Sequence, residues 1–484
     1  MSDFKNITFA REDLLPWYSL KEQRGETTVT AVSVRIDRDV LALFGLGTVI
    51  ELLLVLLDAL TGLDRTLPSL EALYTLPFAA FTLAVLYVIR TKPRTHGLYI
   101  ALVLLIFASL FRFTFLLQAP TLSGDIYRYY WDGKLLNNGI SPYSYAPYAD
   151  QLTQLRDGYW NLVQDKDIIS PYPPLMEMVN ALVYAISPTI LAYKAAFFFF
   201  DMLSIVVLLL VLSKLNLDLR LGLMYAWNPL FVLEFGSSGH NDPLSVLLVL
   251  TSFYFLLQKR SVSSAGAMAL AVVSKLFPLL IAPLFLRRWG IKGTAVFASL
   301  IAVSYVPFLA YGKNVYDAIS TFLFSDRPFF NGGAFSLLQS SLQSFGASDP
   351  VYLSRLIVYG VFLTAMAYFL MKAFRGNEDT LTLARYSAAL ITLYLALSAT
   401  VQPWYLAWVF PFIAVFSSWA WFAFSWTIFL TYYTYTQVPI QPGYWGEILW
   451  VRLAEYIPLY FMAILEIVRG AYLKPRKEVT AKAS

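Results

Sequence analysis

Long apolar runs alternate with short polar segments from residue 39 to residue 468 of the chain. A membrane-spanning helix needs roughly 20 mainly apolar residues, because the hydrocarbon core is about 30 Å thick and each helical residue rises about 1.5 Å. Runs of this length lie at 39–60, 70–90, 97–117, 192–213, 220–236, 243–258, 291–311, 351–373, 382–399, 418–437 and 447–468, and shorter ones at 262–275, 276–287 and 402–416. The pattern therefore predicts an all-α, polytopic integral membrane protein with about 14 membrane segments.

Lys and Arg residues in the polar segments predict the orientation of the chain, because cytoplasmic loops carry an excess of both. With the N-terminus inside, all the main clusters fall on the cytoplasmic side only if the segment 174–190 does not cross. We therefore expect 174–190 to form a helix at the outer interface. The predicted organisation is a cytoplasmic tail (1–38), a transmembrane domain (39–468) with outer loops at 118–191 and 312–350, and a second cytoplasmic tail (469–484). The clusters include Arg90 and Lys92, Arg220, Arg287 and Arg288, Lys372 and Arg375, Arg385, and Lys474 and Arg476.

The same orientation requires 262–275 and 276–287 to form a pair that enters the membrane and returns to the same side. The break between the two segments is expected near Lys275 and Pro278. Twelve helical residues reach only about 18 Å, and broken helices at membrane depth are tolerated only around a cavity or within protein. The alternative is a single Pro-kinked span in which Lys275 faces protein. An ionisable residue inside a membrane segment indicates function by default, and a lysine can hold a phosphate as a point charge.

Composition agrees with the membrane class and excludes several kinds of chemistry. Of 484 residues, 58% are hydrophobic and 14% charged, with a mean hydropathy of +0.60. The net charge of +5 reflects loop Lys and Arg, and no basic tract suggests a nucleic-acid partner. The chain has no cysteine, which excludes disulfides and thiolate chemistry, and only two histidines, His96 and His240, which argues against a histidine metal cluster.

The most suggestive polar segment opens the first outer loop, after the run that ends at Leu117. Residues 123–147 read SGDIYRYYWDGKLLNNGISPYSYAP. Asp125 is expected near the membrane surface, at the depth of a carrier-lipid phosphate. A sugar on a polyprenyl phosphate already has a good leaving group, so its transfer needs one base for the acceptor hydroxyl and cations for the phosphate. Asp125 is our candidate base; the alternative is a helix N-cap.

Several neighbours of Asp125 are candidates for binding the substrates. Arg128, Arg112 and Lys275 are candidate donor-phosphate ligands; a local ion pair for Arg128 and snorkelling of Arg112 to the interface are the alternatives. The candidate substrate-binding residues are Tyr129, Trp131, Asp132 and Tyr172 from this loop, His240, Asn241, Asp242, Gln402, Trp404 and Tyr405. For the aromatic residues the alternative is an interfacial belt, and for Asp242 it is a cap on the helix that Pro243 begins. In the second outer loop, Asp326, Arg327 and 331–333 suggest a mobile gating loop.

These motifs, in this order, resemble the bacterial polyprenol-phosphate-mannose-dependent α-mannosyltransferases, including the lipomannan-type α-(1→6) enzymes, of the GT-C superfamily. The resemblance runs from about Arg112 to Pro411 and also includes the motifs YPPL, AWNPLFVLEFGSSGHNDPL, VSKLFPLLIAPLFLRR and VQPWYLAWVFP. It implies a polytopic GT-C fold with juxtamembrane helices in the first outer loop. It also implies a catalytic Asp at Asp125.

The resemblance further implies the reaction: inverting transfer of a sugar, mannose, from a polyprenyl-phosphate donor to a glycan or glycolipid acceptor. The expected location is the plasma (inner) membrane, with the active site on the extracytoplasmic side. Many GT-C enzymes carry two adjacent acidic residues here, whereas Asp125 stands alone between Gly124 and Ile126. We therefore assign no metal ligand, and a divalent cation at Asp125 stays an open alternative. The competing functions are a polytopic lipid or glycolipid transporter or flippase, and a non-catalytic scaffold.

Overall fold

Apolar helices make up most of the structure, a computed structural model that describes residues 20–23, 26–29, 38–64, 67–93, 97–317, 331–376, 378–437 and 448–476. The α-helices are α1 (Arg38–Thr61), α2 (Ser69–Arg90), α3 (Gly97–Leu116), α4 (Asp125–Asn137), α5 (Pro174–Ile186), α6 (Ile190–Lys214), α7 (Leu223–Ala226), α8 (Pro229–Val232), α9 (Asp242–Leu257), α10 (Ser261–Ser274), α11 (Leu286–Tyr305), α12 (Gly333–Ser344), α13 (Pro350–Arg375), α14 (Thr380–Leu397), α15 (Phe410–Val415), α16 (Trp419–Thr427), α17 (Thr431–Gln437) and α18 (Leu449–Val468). Two short antiparallel pairs accompany them: β1 (Leu20–Gln23) with β2 (Glu26–Val29), and β3 (Phe416–Ser417) with β4 (Lys474–Pro475).

The long helices match the long apolar runs of the sequence. Among the described residues, seven helices are long and apolar enough to cross a membrane: α1, α2, α3, α6, Ala282–Asp317, α13 and α14. Helices α5, α9 and α10 are apolar but shorter. These helices indicate a membrane protein of the polytopic, all-α class, with fewer full-length spans than the 14 segments that the runs suggest. Asp326 and Arg327 lie outside the described residues.

Several predicted membrane segments are broken, and prolines mark the breaks. The run 220–236 is divided into a 3-10 turn, α7, α8 and a π-helical turn at Leu233–Ser237. The expected helix at 276–287 is instead two 3-10 turns, Phe277–Leu280 and Ala282–Phe285, because Pro278 and Pro283 offer no backbone N–H. The break itself lies where the sequence predicts it, since α10 ends at Ser274 and Lys275 is extended.

Arginines of the predicted cytoplasmic clusters bond to residues near the ends of other helices. Arg220 pairs with Asp39 at 3.2 Å and donates to the Thr91 carbonyl at 2.7 Å, which joins the ends of α1 and α2. Arg287 donates to the carbonyl of Phe374 at the end of α13, and Arg385 donates to that of Tyr472. These contacts connect helix ends to one another, and the predicted cytoplasmic orientation stays a prediction.

The segment 118–191 folds into α4, two 3-10 turns and α5, with a small core of its own. Helix α5 begins at Pro174, which is well suited to the first helical position, and it packs against α4. Glu177 and Asn180 are completely buried on α5. The short helix predicted at 174–190 is therefore present, and its buried polar face lies against α4.

Gly133 lies where α4 packs closely against α5 and α6. A Cβ atom there would overlap the Asn180 carbonyl and the Tyr193 hydroxyl, which hydrogen-bond to each other at 2.7 Å. We expect Gly133→Ala to destabilise the protein by about 1–3 kcal/mol through overpacking, seen as a lower thermal unfolding midpoint in detergent. Gly158→Ala is the matched control, because no atom lies within 4 Å of its Cβ and its φ is −59°. Equal midpoints for both variants would contradict the packing assigned to Gly133.

Candidate functional site

Asp125 is the first residue of α4 and faces a buried polar cluster. Gly124 occupies the N-cap position without a side-chain cap, so the Asp125 carboxylate is not used to cap the helix. The side chain is 29% exposed, and its Oδ2 lies 3.7 Å from Nδ1 of His240. Desolvation by the surrounding protein raises the pKa of Asp125 to about 6, although the charge of Lys275 opposes this shift. A partly exposed carboxylate with such a pKa is suited to accept a proton near neutral pH.

The imidazole of His240 connects Asp125 to a second buried carboxyl group. Its Nε2 lies 3.3 Å from Oε2 of Glu234, and both side chains are completely buried. The other carboxyl oxygen of Glu234, Oε1, accepts a hydrogen bond of 2.5 Å from the Tyr432 hydroxyl. Trp404 stacks on the imidazole with ring centroids 3.6 Å apart, which fixes the plane of the ring.

Glycines allow His240 to reach this position. The π-helical turn Leu233–Ser237 is followed by Gly239 at φ +68°, a conformation that favours glycine. A Cβ at Gly239 would lie 2.6 Å from Ile126 of α4. The turn can therefore press against α4, and the backbone N–H of His240 bonds back to the Glu234 carbonyl at 3.1 Å.

Lys275 adds a cation to the same polar cluster, beside the two residues that follow His240. Its Nζ lies 2.6 Å from Oδ2 of Asp242 and 3.3 Å from Oδ1 of Asn241. Asp242 begins α9, but its other oxygen accepts from the Trp408 indole at 2.6 Å, so the carboxylate does not form the helix cap that was the alternative to a binding role. The side chain of Lys275 is 15% exposed, so it is not completely enclosed by the protein.

Aromatic rings lie beside the ammonium group of Lys275. Nζ of Lys275 lies 5.5 Å from the ring centroid of Tyr405 and 5.7 Å from that of Trp408, and these two rings stack at 4.3 Å. Phe277 stacks on the other side of Trp408 at 4.5 Å. The 3-10 turn Pro403–Trp408, which Gln402 precedes at the N-cap, supplies three of the rings around the site: Trp404, Tyr405 and Trp408.

Arg128 and Asp132 form a local ion pair inside the 118–191 segment. Nε of Arg128 lies 2.9 Å from Asp132, and its Nη1 donates to the carbonyl of Ile168 at 3.1 Å. Asp132 is completely buried beside Glu177, which accepts from Ser170. Burial and the neighbouring Asp132 raise the pKa of Glu177 well above its ordinary value. Arg128 thus holds the later part of the segment on α4, as the ion-pair alternative predicted.

The aromatic residues of α4 pack inside the segment. Trp131 is 0% exposed and packs with Leu152 and Val163, whereas Tyr129 contacts Tyr172 edge-on at 5.2 Å. A sugar ring could not stack on Trp131 without opening this core. Tyr172 is half-buried and lies between Tyr129 and the neighbourhood of Asp125.

Arg112 is used within the helical bundle. It is completely buried, pairs with Asp201 of α6 and donates to the Ala226 carbonyl at 2.8 Å. The Tyr225 hydroxyl donates to the same Asp201 at 2.7 Å. A charge-balanced pair explains how an arginine is tolerated here. Arg112 does not snorkel to the interface, and its partners are Asp201 and Ala226, not Asp125.

Three residues of the cluster were not predicted as site residues: Glu234, Trp408 and Tyr432. Glu234 could have been found, because a carboxylate in the apolar run AWNPLFVLEF is an intramembrane ionisable residue. Trp408 and Tyr432 carry no such signal, since aromatic residues are common throughout the chain. Within the described ranges, no group of three or more His, Cys, Asp or Glu side chains is arranged to hold a metal ion.

Comparison with known proteins agrees with the resemblance seen in the sequence. Residues 57–290 match the model of the MptA_B family, described as alpha-(1->6)-mannopyranosyltransferase, N-terminal domain. The matched range includes Asp125, Glu234, His240, Asp242 and Lys275. No curated protein and no solved structure matches the chain.

Proposed function

We propose, from the premise that the chain is a relative of this α-(1→6)-mannopyranosyltransferase family, that it transfers a sugar from a lipid-linked donor. The family supports mannosyl transfer in general. The proposed donor is a polyprenyl-phosphate sugar, mannose, and the acceptor is a glycan or glycolipid. We place the reaction on the extracytoplasmic side of the plasma membrane, with inversion at the anomeric carbon and Asp125 as the general base.

The observation that carries this proposal is the convergence of Asp125 and Lys275 on one turn of the chain. Asp125 contacts His240, and Lys275 contacts Asn241 and Asp242, so three consecutive residues connect a base to a cation. The charge of Lys275 also acts on Asp125 directly. A base for the acceptor and a cation for the phosphate are the two groups that this transfer needs.

In the proposed mechanism, Asp125 takes the proton of the acceptor hydroxyl as that oxygen attacks the anomeric carbon. The bond between this carbon and the phosphate oxygen breaks, and the polyprenyl phosphate leaves with the bonding electrons. Lys275 stabilises the charge that develops on the leaving phosphate. Attack from the face opposite the phosphate inverts the anomeric configuration. Trp404 and Tyr405 offer aromatic faces beside these groups.

The test is transfer from synthetic polyprenyl-phosphate mannose by the detergent-solubilised protein, measured from about pH 5 to about pH 8. We expect product to form, and the rate to rise with pH and reach half its plateau near 6, because Asp125 must be ionised and its pKa is about 6. Below that pH the base is protonated and cannot accept the acceptor proton. An inverted, α-linked product from a β-linked donor would support the displacement.

Other donors serve as controls for the sugar. The same protein offered polyprenyl-phosphate glucose should be much slower if mannose is the natural sugar. Faster transfer from another lipid-linked sugar would replace mannose but keep the mechanism. If a well-folded protein transfers none of these sugars and instead moves labelled polyprenyl phosphate between the leaflets of a vesicle, the protein is a flippase.

A further inference from the structure

Glu234 is a buried acid that the proposed reaction does not use directly. It lies in the π-helical turn, completely buried, with Oε2 3.3 Å from His240 and Oε1 bonded to the Tyr432 hydroxyl. No lysine or arginine of the described residues forms an ion pair with it. An ionised carboxylate without a cation is very costly in such a site, so the group is expected to keep its proton.

The positions of the hydrogen atoms can then be assigned along the series of contacts from Tyr432 through Glu234 and His240 to Asp125. The Tyr432 hydroxyl donates to Oε1, so the proton of Glu234 is on Oε2 and faces Nε2 of His240. An imidazole that accepts at Nε2 carries its own hydrogen on Nδ1. That hydrogen faces Oδ2 of Asp125, and the two heavy atoms are 3.7 Å apart. A small approach of the two side chains would bring them within hydrogen-bond distance.

We propose that Glu234, acting through His240, is a positioning residue that orients Asp125 and stabilises its carboxylate. This inference rests on the proposed function for Asp125. A hydrogen bond donated to a carboxylate favours the ionised form, which is the form that the base needs. Trp404 stacks on the imidazole and so restricts its rotation.

Other charged groups also act on Asp125 and must be considered in any pH profile. Lys275 lowers the pKa of Asp125, whereas Asp165 and Asp242 raise it, and Ser123 supplies a hydrogen bond. The remaining titratable groups around it are Tyr129, Tyr172, His240 and Glu234. Apart from Glu234 itself, a substitution at Glu234 alters none of these groups, and replacing a protonated Glu234 changes no charge. A shifted profile would therefore report on the contact through His240.

The kinetic experiment compares Glu234→Leu with Glu234→Gln. Leucine removes the donor to His240, so we expect kcat to fall about 10- to 100-fold with little change in KM, and the acid limb of the pH profile to move to higher pH. Glutamine can accept from Tyr432 and still donate an N–H to Nε2, so kcat and the acid limb should return close to those of the wild type. Unaltered kinetics in the leucine variant, or equal damage and equal shifts in both variants, would overturn the proposal.

A spectroscopic measurement tests the same contacts between Glu234, His240 and Asp125 without relying on activity. The protein has only two histidines, His96 and His240, so ¹⁵N-histidine labelling gives two pairs of ring-nitrogen signals, and His240→Asn assigns the pair of His240. We expect a neutral His240 with its hydrogen on Nδ1 in the wild type and in Glu234→Gln, and a changed signal in Glu234→Leu. A hydrogen on Nε2 would mean that Glu234 is the acceptor, and would overturn the proposal. Absence of transfer by the wild type would reject the proposed function, but the position of the hydrogen on His240 could still be interpreted.

Discussion

Replacing Asp125 with asparagine is expected to reduce sugar transfer about a thousandfold, because it removes the proposed base and changes little else. Asparagine has nearly the same shape, and the Asp125 side chain makes no cap to α4 that would be lost. Transfer from the lipid-linked donor is measured in detergent for both proteins. Transfer at the wild-type rate, with the same dependence on pH, would show that Asp125 is not the base.

The stability of the Asp125→Asn protein separates loss of chemistry from loss of fold. The pKa of Asp125 is raised from 3.8 to about 6, so the folded protein binds this proton more tightly than the unfolded chain does. The stabilisation from that proton is complete below about pH 4 and is lost as the pH rises through about 6. At pH 7.5 the wild type therefore holds an unfavourable charge that asparagine removes, and the variant should unfold at the same or a higher temperature.

Asp157→Asn is the matched control, since the Asp157 side chain has the same 29% exposure and lies in the same segment. Desolvation raises the pKa of Asp157, but hydrogen bonds from Lys134 and the Trp160 N–H outweigh it and hold the pKa below its ordinary value. Its charge stabilises the folded protein at neutral pH, and this stability is lost on acidification. Asp157→Asn should therefore unfold at a lower temperature at pH 7.5 and keep its transfer activity, the reverse of Asp125→Asn.

The membrane segments could be read from the sequence because bilayer thickness fixes their length. The runs 39–60, 70–90 and 192–213 differ from α1, α2 and α6 by no more than two residues at either end. The break at Lys275 was also visible, since a lone lysine before a proline does not fit a continuous span. The run 220–236 was misread because apolarity alone does not distinguish a helix from a series of buried turns, and Pro229 was the available signal.

The partners of the charged residues could not be read from the sequence. Arg112 pairs with a residue 89 positions away, and Arg128 donates to a carbonyl 40 positions away. Arg112 resembled a phosphate ligand because its counter-charge was unknown. For Arg128 the local ion pair was already the alternative, and only its distant carbonyl acceptor was unknown. His240 and Lys275 became candidate site residues because three adjacent polar side chains, and one lysine, interrupt apolar runs where unpaired polar groups are costly.

Removing the charge of Lys275 is expected to lower kcat/KM for the lipid-linked donor about a hundredfold. Its ammonium group has three donors, of which Asp242 and Asn241 use two, so one remains for the donor phosphate. A hydrogen bond to a charged group contributes about 1.5–3 kcal/mol, which corresponds to about 10- to 150-fold. The value should be near the upper end, because charge increases on the phosphate as it leaves.

The informative variant is the double substitution Lys275→Met with Asp242→Asn, compared with Asp242→Asn alone. Lys275→Met by itself would leave a buried carboxylate unpaired and would destabilise the protein. The single Asp242→Asn variant keeps the cation and should lose much less kcat/KM than the double variant. Measured at several donor concentrations, the double variant should show both a higher KM and a lower kcat.

A second buried pair provides the control for removing two opposite charges. Arg112→Met with Asp201→Asn deletes a completely buried ion pair that lies within the helical bundle. We expect this variant to keep its kcat/KM, whatever its stability. If instead the Arg112 variant loses donor binding and the Lys275 variant keeps it, the phosphate is held at Arg112. The position of the donor, and with it the choice of Asp125 as base, would then need to be revised, because Arg112 faces Asp201 and Ala226.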